Sequence, residues 1–170
     1  MKKRLIVVLG MHRSGTSTVT RALQALGVDL GERLLPSRPG NPKGFYEDAD
    51  VHEINEEMLD AVGSTWFDLR LPTDLDIENL SRQGYLARAT NLIREKLKET
   101  DVFGLKQPRL SKVLPLWQRA FELAKVDTSY VVASRNPLAV AESLRKRDLM
   151  EAEQAYLLWT QHLVESLQAT

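Results

Sequence analysis

The stretch that decides the fold is Met1–Thr18, which reads MKKRLIVVLGMHRSGTST. Residues Leu5–Leu9 form a short apolar run rich in β-branched side chains, which is typical of a strand buried in a parallel sheet. Gly10 ends this run, a loop follows, and Gly15 opens a segment with helical periodicity. A strand, a glycine-bounded loop and a helix together predict an anion site, because the N–H groups and the dipole of the helix N-terminus point toward one place.

The spacing Gly10-x-x-x-x-Gly15 matches the first part of the Walker A pattern of nucleotide-binding proteins. In an NTPase the residue after the second glycine is Lys, whereas this chain has Thr16 there. The nearest cation inside the loop is Arg13. The loop therefore predicts a phosphate-binding protein that differs from an ordinary Mg²⁺-dependent NTPase.

The composition limits the classes of partner. The chain has 170 residues, with 23 basic and 23 acidic side chains, which leaves no net charge. This length suits a single domain, 1–170, with a sizeable core. Because the charge is balanced, we expect no nucleic-acid partner and no general attraction to anionic membranes, so any anion site must be local. The chain contains no cysteine, which excludes disulfides, thiolate metal sites and a Cys nucleophile.

The N-terminus superficially resembles a signal peptide. Its apolar run spans only five residues, however, and His12 and Arg13 follow where a small-residue cleavage site would be expected. No apolar stretch in the sequence is long enough to cross a membrane. We therefore expect a cytoplasmic protein without a membrane span.

Helical patterns alternate with extended ones along the rest of the chain. An apolar stripe after the first loop predicts a helix that Gly27 ends in the left-handed conformation; the stripe consists of Val19, Ala22, Leu23 and Leu26. Further helices are predicted at about Ala49–Val62, within Leu75–Lys98 and at Leu110–Ala124, where Pro115 lies near the first turn or marks a kink. Asn136 as N-cap and Pro137 as first helical residue predict the start of another helix. A last helix is predicted from Glu151, with an apolar stripe of Ala152, Ala155, Trp159 and Leu163. The segment Leu35–Gly44, with three prolines and two glycines, predicts a long loop.

Two more apolar runs predict strands, at Val102–Leu105 and Tyr130–Ala133. Short apolar strands separated by helices predict an α/β fold, with a parallel sheet covered by helices on both faces. Ligands bind at the carboxyl-end edge of such sheets. The residues that fall at this edge are Gly10–Ser17, Lys106–Arg109 and Arg135–Pro137.

The segments GMHRSGTS and VVASRNPLAVAESL resemble the two cofactor-binding signatures of the sulfotransferase family. The resemblance runs from Leu5 to about Trp159. It implies a three-layer α/β/α, P-loop NTPase-like fold, with 3′-phosphoadenosine 5′-phosphosulfate (PAPS) as donor, 3′-phosphoadenosine 5′-phosphate (PAP) as product and no metal. By this resemblance the first loop holds the 5′-phosphosulfate, through His12, Arg13, Ser14, Gly15, Thr16 and Ser17.

The second signature implies that Arg135 and Ser143 hold the 3′-phosphate of the donor. Ser143 lies seven residues after Asn136, so two helical turns return it to the same face of the helix. Arg135 offers a bidentate fork to the same anion.

The segments NPKGFYEDADV and GLKQPRL resemble those of bacterial members that act on carbohydrates or other small hydroxyl acceptors. Sulfuryl transfer needs a base for the acceptor proton and stabilisation of the charge that builds on the leaving oxygen. By analogy with the family, Glu47 is the candidate base, with His12 and His52 as rivals. Arg13 is the candidate for charge stabilisation, and Lys106 neutralises the sulfuryl group or protonates the bridging oxygen.

Three functions remain open from the sequence. The leading one is a sulfotransferase acting on a hydroxyl or amine of a carbohydrate or other small acceptor. The second is a nucleotide or small-molecule kinase with a degenerate P-loop, which would turn over ATP with Mg²⁺. The third is a non-catalytic nucleotide-binding module, because related domains usually continue into a C-terminal segment that contacts the adenine and completes the 3′-phosphate site. The sequence predicts neither the acceptor nor the oligomeric state.

Several side chains also have purely structural interpretations. Glu47 or Asp48 could cap the helix that follows them, Lys106 could extend along the sheet edge into solvent, and Arg135 could form a surface salt bridge. The three tryptophans are expected in the core, and His162 is expected to be a packed or exposed helix residue; the tryptophans are Trp66, Trp117 and Trp159.

Overall fold

A computed structural model describes residues 3–38, 41 and 44–170 of the chain. Within these residues the elements follow in the order β1 (Arg4–Leu9), α1 (Thr16–Ala25), α2 (Ala49–Ala61), α3 (Asp74–Arg82), α4 (Tyr85–Lys96), β2 (Val102–Lys106), a 3₁₀ helix (Pro108–Val113), α5 (Leu114–Ala124), β3 (Asp127–Val132), α6 (Pro137–Asp148) and α7 (Ala152–Gln168). The fold is mixed α/β, which confirms the predicted fold class at that level.

The three strands form a parallel sheet in the order β2-β1-β3. The central strand places Val8 beside Lys106 of β2 and Val131 of β3. Asp29 extends the sheet beyond β2, because the Gly104 N–H donates to its carbonyl oxygen at 2.7 Å. Since all three strands are parallel, their carboxyl ends lie at one edge of the sheet.

One face of the sheet is packed into the main hydrophobic core. Leu5, Val7 and Leu9 of β1 are fully buried there with side chains of α2, α4 and α5. Trp117 of α5 is fully buried, and its Nε1 donates to Oδ1 of Asn55 at 2.7 Å, so the indole N–H has a partner inside the core.

Helix α1 lies on the opposite face. Successive strand residues point to opposite faces, and the Lys106 ammonium on this face lies 3.4 Å from the hydroxyl of Ser17 in α1. The helix buries Thr16 and Thr20, and the Thr20 hydroxyl donates to the Thr16 carbonyl oxygen at 2.8 Å. The predicted apolar stripe is therefore not the buried face, and its last residue, Leu26, is 81% exposed.

The boundaries of the remaining elements differ in detail from the prediction. β3 begins at Asp127 because it pairs with β1 from Arg4 onward. The predicted helix Leu110–Ala124 is a 3₁₀ helix followed by α5, with Pro115 in the first turn of α5 and therefore without a kink. The predicted Leu75–Lys98 region is two helices separated at Gly84.

The predicted start of α6 is confirmed, because Oδ1 of Asn136 accepts from the Leu138 N–H at 2.9 Å and Pro137 is the first helical residue. Of the predicted long loop Leu35–Gly44, the residues Pro39, Gly40, Pro42 and Lys43 lie outside the described residues. The described part contains an isolated bridge between Arg38 and Asn41.

A second, smaller hydrophobic cluster fixes the first loop onto the C-terminal helices. Met11 is buried with side chains of α6 and α7, among them Val140, Leu144 and Leu158. The buried face of α7 comprises Ala155, Leu158, His162 and Ser166, while Trp159 is only half-buried. The stripe predicted for α7 is thus rotated by about one residue.

Gly10 has no room for a side chain. Its φ is +138°, and a Cβ atom would lie 2.3 Å from the carbonyl oxygen of Ala133. We expect Gly10→Ala to lower the free energy of unfolding by more than about 2 kcal/mol, because backbone strain adds to a steric overlap. Urea denaturation measures this loss.

Gly84→Ala is the matched control. Gly84 also has a positive φ, of +94°, but its Cβ would meet no atom of the described residues within 4 Å. We expect this variant to lose only about 1 kcal/mol. Equal losses in the two variants would contradict the close approach of the first loop to the end of β3.

Candidate active site

The loop between β1 and α1 has a tightly curved backbone. The φ angles of Gly10, Arg13 and Gly15 are all positive, and the Arg13 value of 69° is uncommon for a residue with a side chain. The Ser14 N–H donates to the Met11 carbonyl oxygen at 3.1 Å. Gly15 supplies no side-chain cap to α1, and its carbonyl oxygen accepts from the Thr18 N–H at 2.9 Å and the Val19 N–H at 3.2 Å. The N–H groups of Thr16 and Ser17 are therefore the ones that the helix N-terminus offers to a ligand.

Arg13 connects the loop to α6 and to the end of β3. Its Nε donates to Oγ of Ser143 at 2.7 Å, and Nη1 of Arg135 donates to the Arg13 carbonyl oxygen at 3.3 Å. Partial burial lowers the pKa of Arg13, and the nearby guanidinium groups of Arg147 and Arg135 lower it further. An anion bound here would relieve the repulsion between these guanidinium groups.

A small cavity of about 200 Å³ lies at the N-terminus of α1. Its wall includes Gly15, Thr16 and Ser17, all of which the sequence assigned to the donor. Its charged lining residues are Arg13, Lys106, Arg135, Arg147 and Glu47. The lining is therefore predominantly cationic and suits an anion. Ser143 is not one of the described residues that line this cavity. Its hydroxyl accepts from Nε of Arg13, which does line it.

Glu47 and Lys106 form a buried ion pair beside this cavity. Each residue is 3% exposed, and Nζ of Lys106 lies 2.5 Å from Oε1 of Glu47. Nζ also donates to the Phe45 carbonyl oxygen at 3.0 Å. Burial lowers the pKa of Lys106, while the Glu47 carboxylate opposes that shift. The interpretation of Lys106 as a side chain extending into solvent is therefore wrong.

Asp48, and not Glu47, caps α2. Its Oδ1 accepts from the Val51 N–H at 3.1 Å. Glu47 does not cap the helix, and it lines both the small cavity and a larger one. Of the two structural interpretations of this acidic pair, only the one for Asp48 is confirmed.

The larger cavity has a volume of about 550 Å³, which is within the usual range for small-molecule sites. It shares wall residues with the small cavity; the shared ones are His12, Arg13, Asn41, Phe45, Glu47 and Arg147. Its further lining includes Arg38, His52, Glu56, Trp66, Arg109 and Asp148. Two ligands could therefore meet at the shared boundary.

Trp66 is half-buried and packs against the smaller hydrophobic cluster, but it also lines the larger cavity, so the expectation that it belongs to the core is met only in part. Its ring centroid lies 4.5 Å from that of His12, and the guanidinium of Arg147 lies 5.6 Å from the centroid of Trp66. These contacts fix an aromatic surface in the wall. Trp117 is in the core as expected, whereas half-buried Trp159 donates to the Arg135 carbonyl oxygen at 3.0 Å.

The rival bases, His12 and His52, also line the larger cavity. Burial lowers the pKa of His12 well below its usual value, with further lowering by Arg109 and Arg147. Burial also lowers the pKa of His52, whose Nδ1 lies 3.2 Å from Nε2 of Gln107. Both imidazoles are therefore neutral near pH 7, and all three candidate bases surround one cavity.

The sequence interpretation had no role for several of these wall residues. Trp66 had a usable signal, because it follows a Gly-Ser-Thr turn and belongs to no helical stripe. Arg109 is part of the strand-end group but had no assigned role. Arg38, Glu56, Arg147 and Asp148 carry no local signal, because only the packing of distant segments brings them to one cavity.

No family model matches the chain, and no curated protein matches it. The sulfotransferase resemblance therefore stays a prediction, as does the cytoplasmic location. Within residues 3–38, 41 and 44–170, no helix is both long enough and apolar enough to cross a membrane. The same residues contain no group of three or more His, Cys, Asp or Glu side chains placed to hold a metal ion.

His162 of α7 is a buried histidine near this site. It is 1% exposed, and neither ring nitrogen has a hydrogen-bond partner among the described residues. Burial, together with the positive charges of Lys112 and Arg109, lowers its pKa to about 3. The folded protein therefore keeps this imidazole neutral.

This burial predicts a pH-dependent stability. The unfolded chain protonates His162 below its usual pKa of 6.5, whereas the folded chain does so only near 3, so stability falls as the pH falls between these values. From about pH 7.5 to about pH 5, we expect His162 to account for a loss of about 2 kcal/mol. Urea denaturation at both pH values measures it.

The variant His162→Leu removes this titration while keeping an apolar side chain of similar volume. We expect its stability to vary less with pH than that of the wild type, by about 2 kcal/mol over the same interval. An identical pH dependence in the two proteins would show that His162 is not held neutral by burial.

Proposed function

We propose that the protein is a sulfotransferase that moves a sulfuryl group from PAPS to a hydroxyl or amine of a carbohydrate or other small acceptor. In this proposal the fold is the three-layer, P-loop-like α/β/α architecture of that class. The small cavity holds the anionic end of the donor, and the larger cavity holds the acceptor.

The observation that carries the proposal is the contact between the two signature segments. The Arg13 side chain bonds to Ser143, and the Arg135 side chain bonds to the Arg13 backbone. PAPS has two anionic ends, so a protein that binds it must bring two groups of donors close together. The cations around the small cavity support this interpretation, since they exceed the carboxylates of its wall.

The proposed seat of the donor follows from these positions. The phosphosulfate lies over the first turn of α1, where N–H groups and the helix dipole favour an anion. Arg13 and Lys106 contact its sulfuryl and bridging oxygens. Arg135 binds the 3′-phosphate, joined by Ser143 when its hydroxyl is released from Arg13.

In the proposed transfer step, Glu47 and Lys106 carry the proton transfers. Glu47 accepts the proton of the acceptor hydroxyl as its oxygen attacks the sulfur. The new S–O bond forms while the S–O bond to the phosphate breaks, and Lys106 donates a proton or a hydrogen bond to the oxygen that leaves on PAP. Because Nζ and Oε1 are 2.5 Å apart, a proton given up by Lys106 can be replaced by the one that Glu47 takes.

A thermal shift experiment tests the donor. We expect PAP at 100 times its dissociation constant to raise the free energy of unfolding by about 2.7 kcal/mol. ATP with Mg²⁺ should give a smaller shift at the same concentration. A larger shift with ATP and Mg²⁺ would instead support a kinase, and the absence of any shift with PAP would overturn the proposal.

Arg135→Gln tests the second anion site. Arg135 is exposed, so we expect the variant to fold and to bind PAP roughly 10- to 100-fold more weakly, as expected for losing a hydrogen bond to a charged group. Arg21→Gln on the exposed surface of α1 is the control, and its affinity should be unchanged. Calorimetric titration measures both, and equal affinities would contradict the assignment of Arg135.

Glu47→Gln tests the base. The amide oxygen still accepts from Lys106, so we expect PAP affinity within a few-fold of wild type and a fall in turnover of about 10²- to 10⁴-fold. Turnover is measured as PAP released from PAPS with a panel of carbohydrate acceptors. Near-normal turnover would move the role to His12 or His52. PAP binding without transfer to any acceptor, in the wild type too, would support a non-catalytic module.

A further inference from the structure

The larger cavity is lined by more guanidinium groups than carboxylates. Four arginines line it, at positions 13, 38, 109 and 147, against three carboxylates, at positions 47, 56 and 148. The whole chain has no net charge, so this excess is a local feature of the cavity.

Each carboxylate of the wall already has a cation. Glu47 pairs with Lys106, which lines only the small cavity, and Glu56 pairs with Arg109. Asp148 pairs with Arg147, whose Nη2 lies 2.7 Å from its carboxylate. Arg13 and Arg38 form no ion pair with a carboxylate in the part of the chain that the structure describes. The wall therefore has a positive charge that the protein itself does not balance.

Arg109 is the most informative of these residues. Its side chain is only 13% exposed, and its ion pair with Glu56 is made through Nε. The two NH₂ groups of the guanidinium have no acceptor among the described residues, yet they belong to a side chain in the cavity wall. These NH₂ groups are not fully buried, so they are open to the cavity, where an anionic ligand can supply the bidentate acceptors that a guanidinium favours.

The donor accounts for only part of this charge, because Arg13 is the one of these four arginines that the proposed function assigns to it. Arg38 and Arg109 line the larger cavity and not the small one, so they face the acceptor side of the site. Arg13 and Arg147 line both cavities and lie where the two ligands would meet. Two anions placed side by side repel each other, and cations at their boundary reduce that repulsion.

We infer that the larger cavity binds an acceptor that itself carries an anionic group, a carboxylate or a sulfate on a polyhydroxylated ring. Arg109 and Arg38 hold the anionic group, and Trp66 packs against the ring. The assignment of this ligand as an acceptor depends on the proposed function, whereas its negative charge follows from the cavity wall alone.

The test compares three sugars of matched ring structure by calorimetric titration, with the protein saturated with PAP. The sugars are methyl β-D-glucuronide, D-glucose 6-sulfate and the neutral methyl β-D-glucoside. We expect at least one anionic sugar to bind about tenfold or more tightly than the neutral one, since a hydrogen bond to a charged group is worth more than one between neutral groups. The two anionic sugars distinguish a carboxylate from a sulfate site.

Two variants locate the preference. We expect Arg109→Gln to reduce the ratio of anionic to neutral affinity to within a few-fold, and Arg38→Gln to reduce it in part. Arg38 is exposed, so this second variant keeps the test valid if Arg109→Gln does not fold. Arg21→Gln, in neither cavity wall, should keep the wild-type ratio.

The outcome separates this inference from the proposed function, because the titrations are repeated without PAP. Failure of PAP to bind would overturn the proposed function, while a preference for the anionic sugars would still support the cation-lined cavity as their site. Normal PAP binding would leave the proposed function standing. In that case the inference would be overturned by equal binding of all three sugars or by no binding of either anionic sugar. It would also be overturned if the ratio of anionic to neutral affinity were unchanged in both variants.

Discussion

The buried ion pair between Glu47 and Lys106 is the interaction on which the site depends. It joins the segment before α2 to the carboxyl end of β2, 59 positions apart in sequence. Removing both charges from water is expensive, and their attraction offsets this cost only when further hydrogen bonds satisfy them. The Phe45 carbonyl oxygen and the Gln107 amide, 3.5 Å from Oε2 of Glu47, provide such partners. The pair is thus a constraint as much as a source of stability.

That constraint extends into the hydrophobic core. Nδ2 of Asn55 donates to Oε1 of Gln107 at 3.3 Å, and Oδ1 of Asn55 accepts from the Trp117 indole at 2.7 Å. A chain of hydrogen bonds therefore runs from the cavity wall to the centre of α5. Because Trp117 is fully buried, the orientation of Gln107 and of the carboxylate beside it is tied to the packing of the core.

Much of the fold could be predicted because its signals are local. A β-branched run ended by a glycine marks β1, and Asn136 followed by Pro137 marks the start of α6. The apolar pattern of α1 misled, because a helix can also bury hydroxyl groups that bond to its own backbone, as Thr20 does. Periodicity identifies the helix but not which side of it faces the sheet.

The site could be predicted only in part, for a related reason. Lys106 is the last residue of β2, and Arg13 and Arg135 come a few residues after β1 and β3. Parallel pairing alone brings such residues to one edge of the sheet. The neighbours of Trp66 and Arg109 depend on where α2, α6 and the 3₁₀ helix pack, which no short pattern encodes. Which of two adjacent carboxylates caps a helix, Glu47 or Asp48, likewise depends on the backbone angle at the helix entrance.

The shared wall of the two cavities makes their occupancies interdependent. A charged ligand in either cavity changes the field at Arg13, His12 and Arg147, which the other cavity also uses. Thermodynamic reciprocity requires that each ligand alter the affinity of the other by the same factor. The order in which two ligands bind therefore does not change the total free energy of binding. The guanidinium of Arg13 is in a position to contact both ligands.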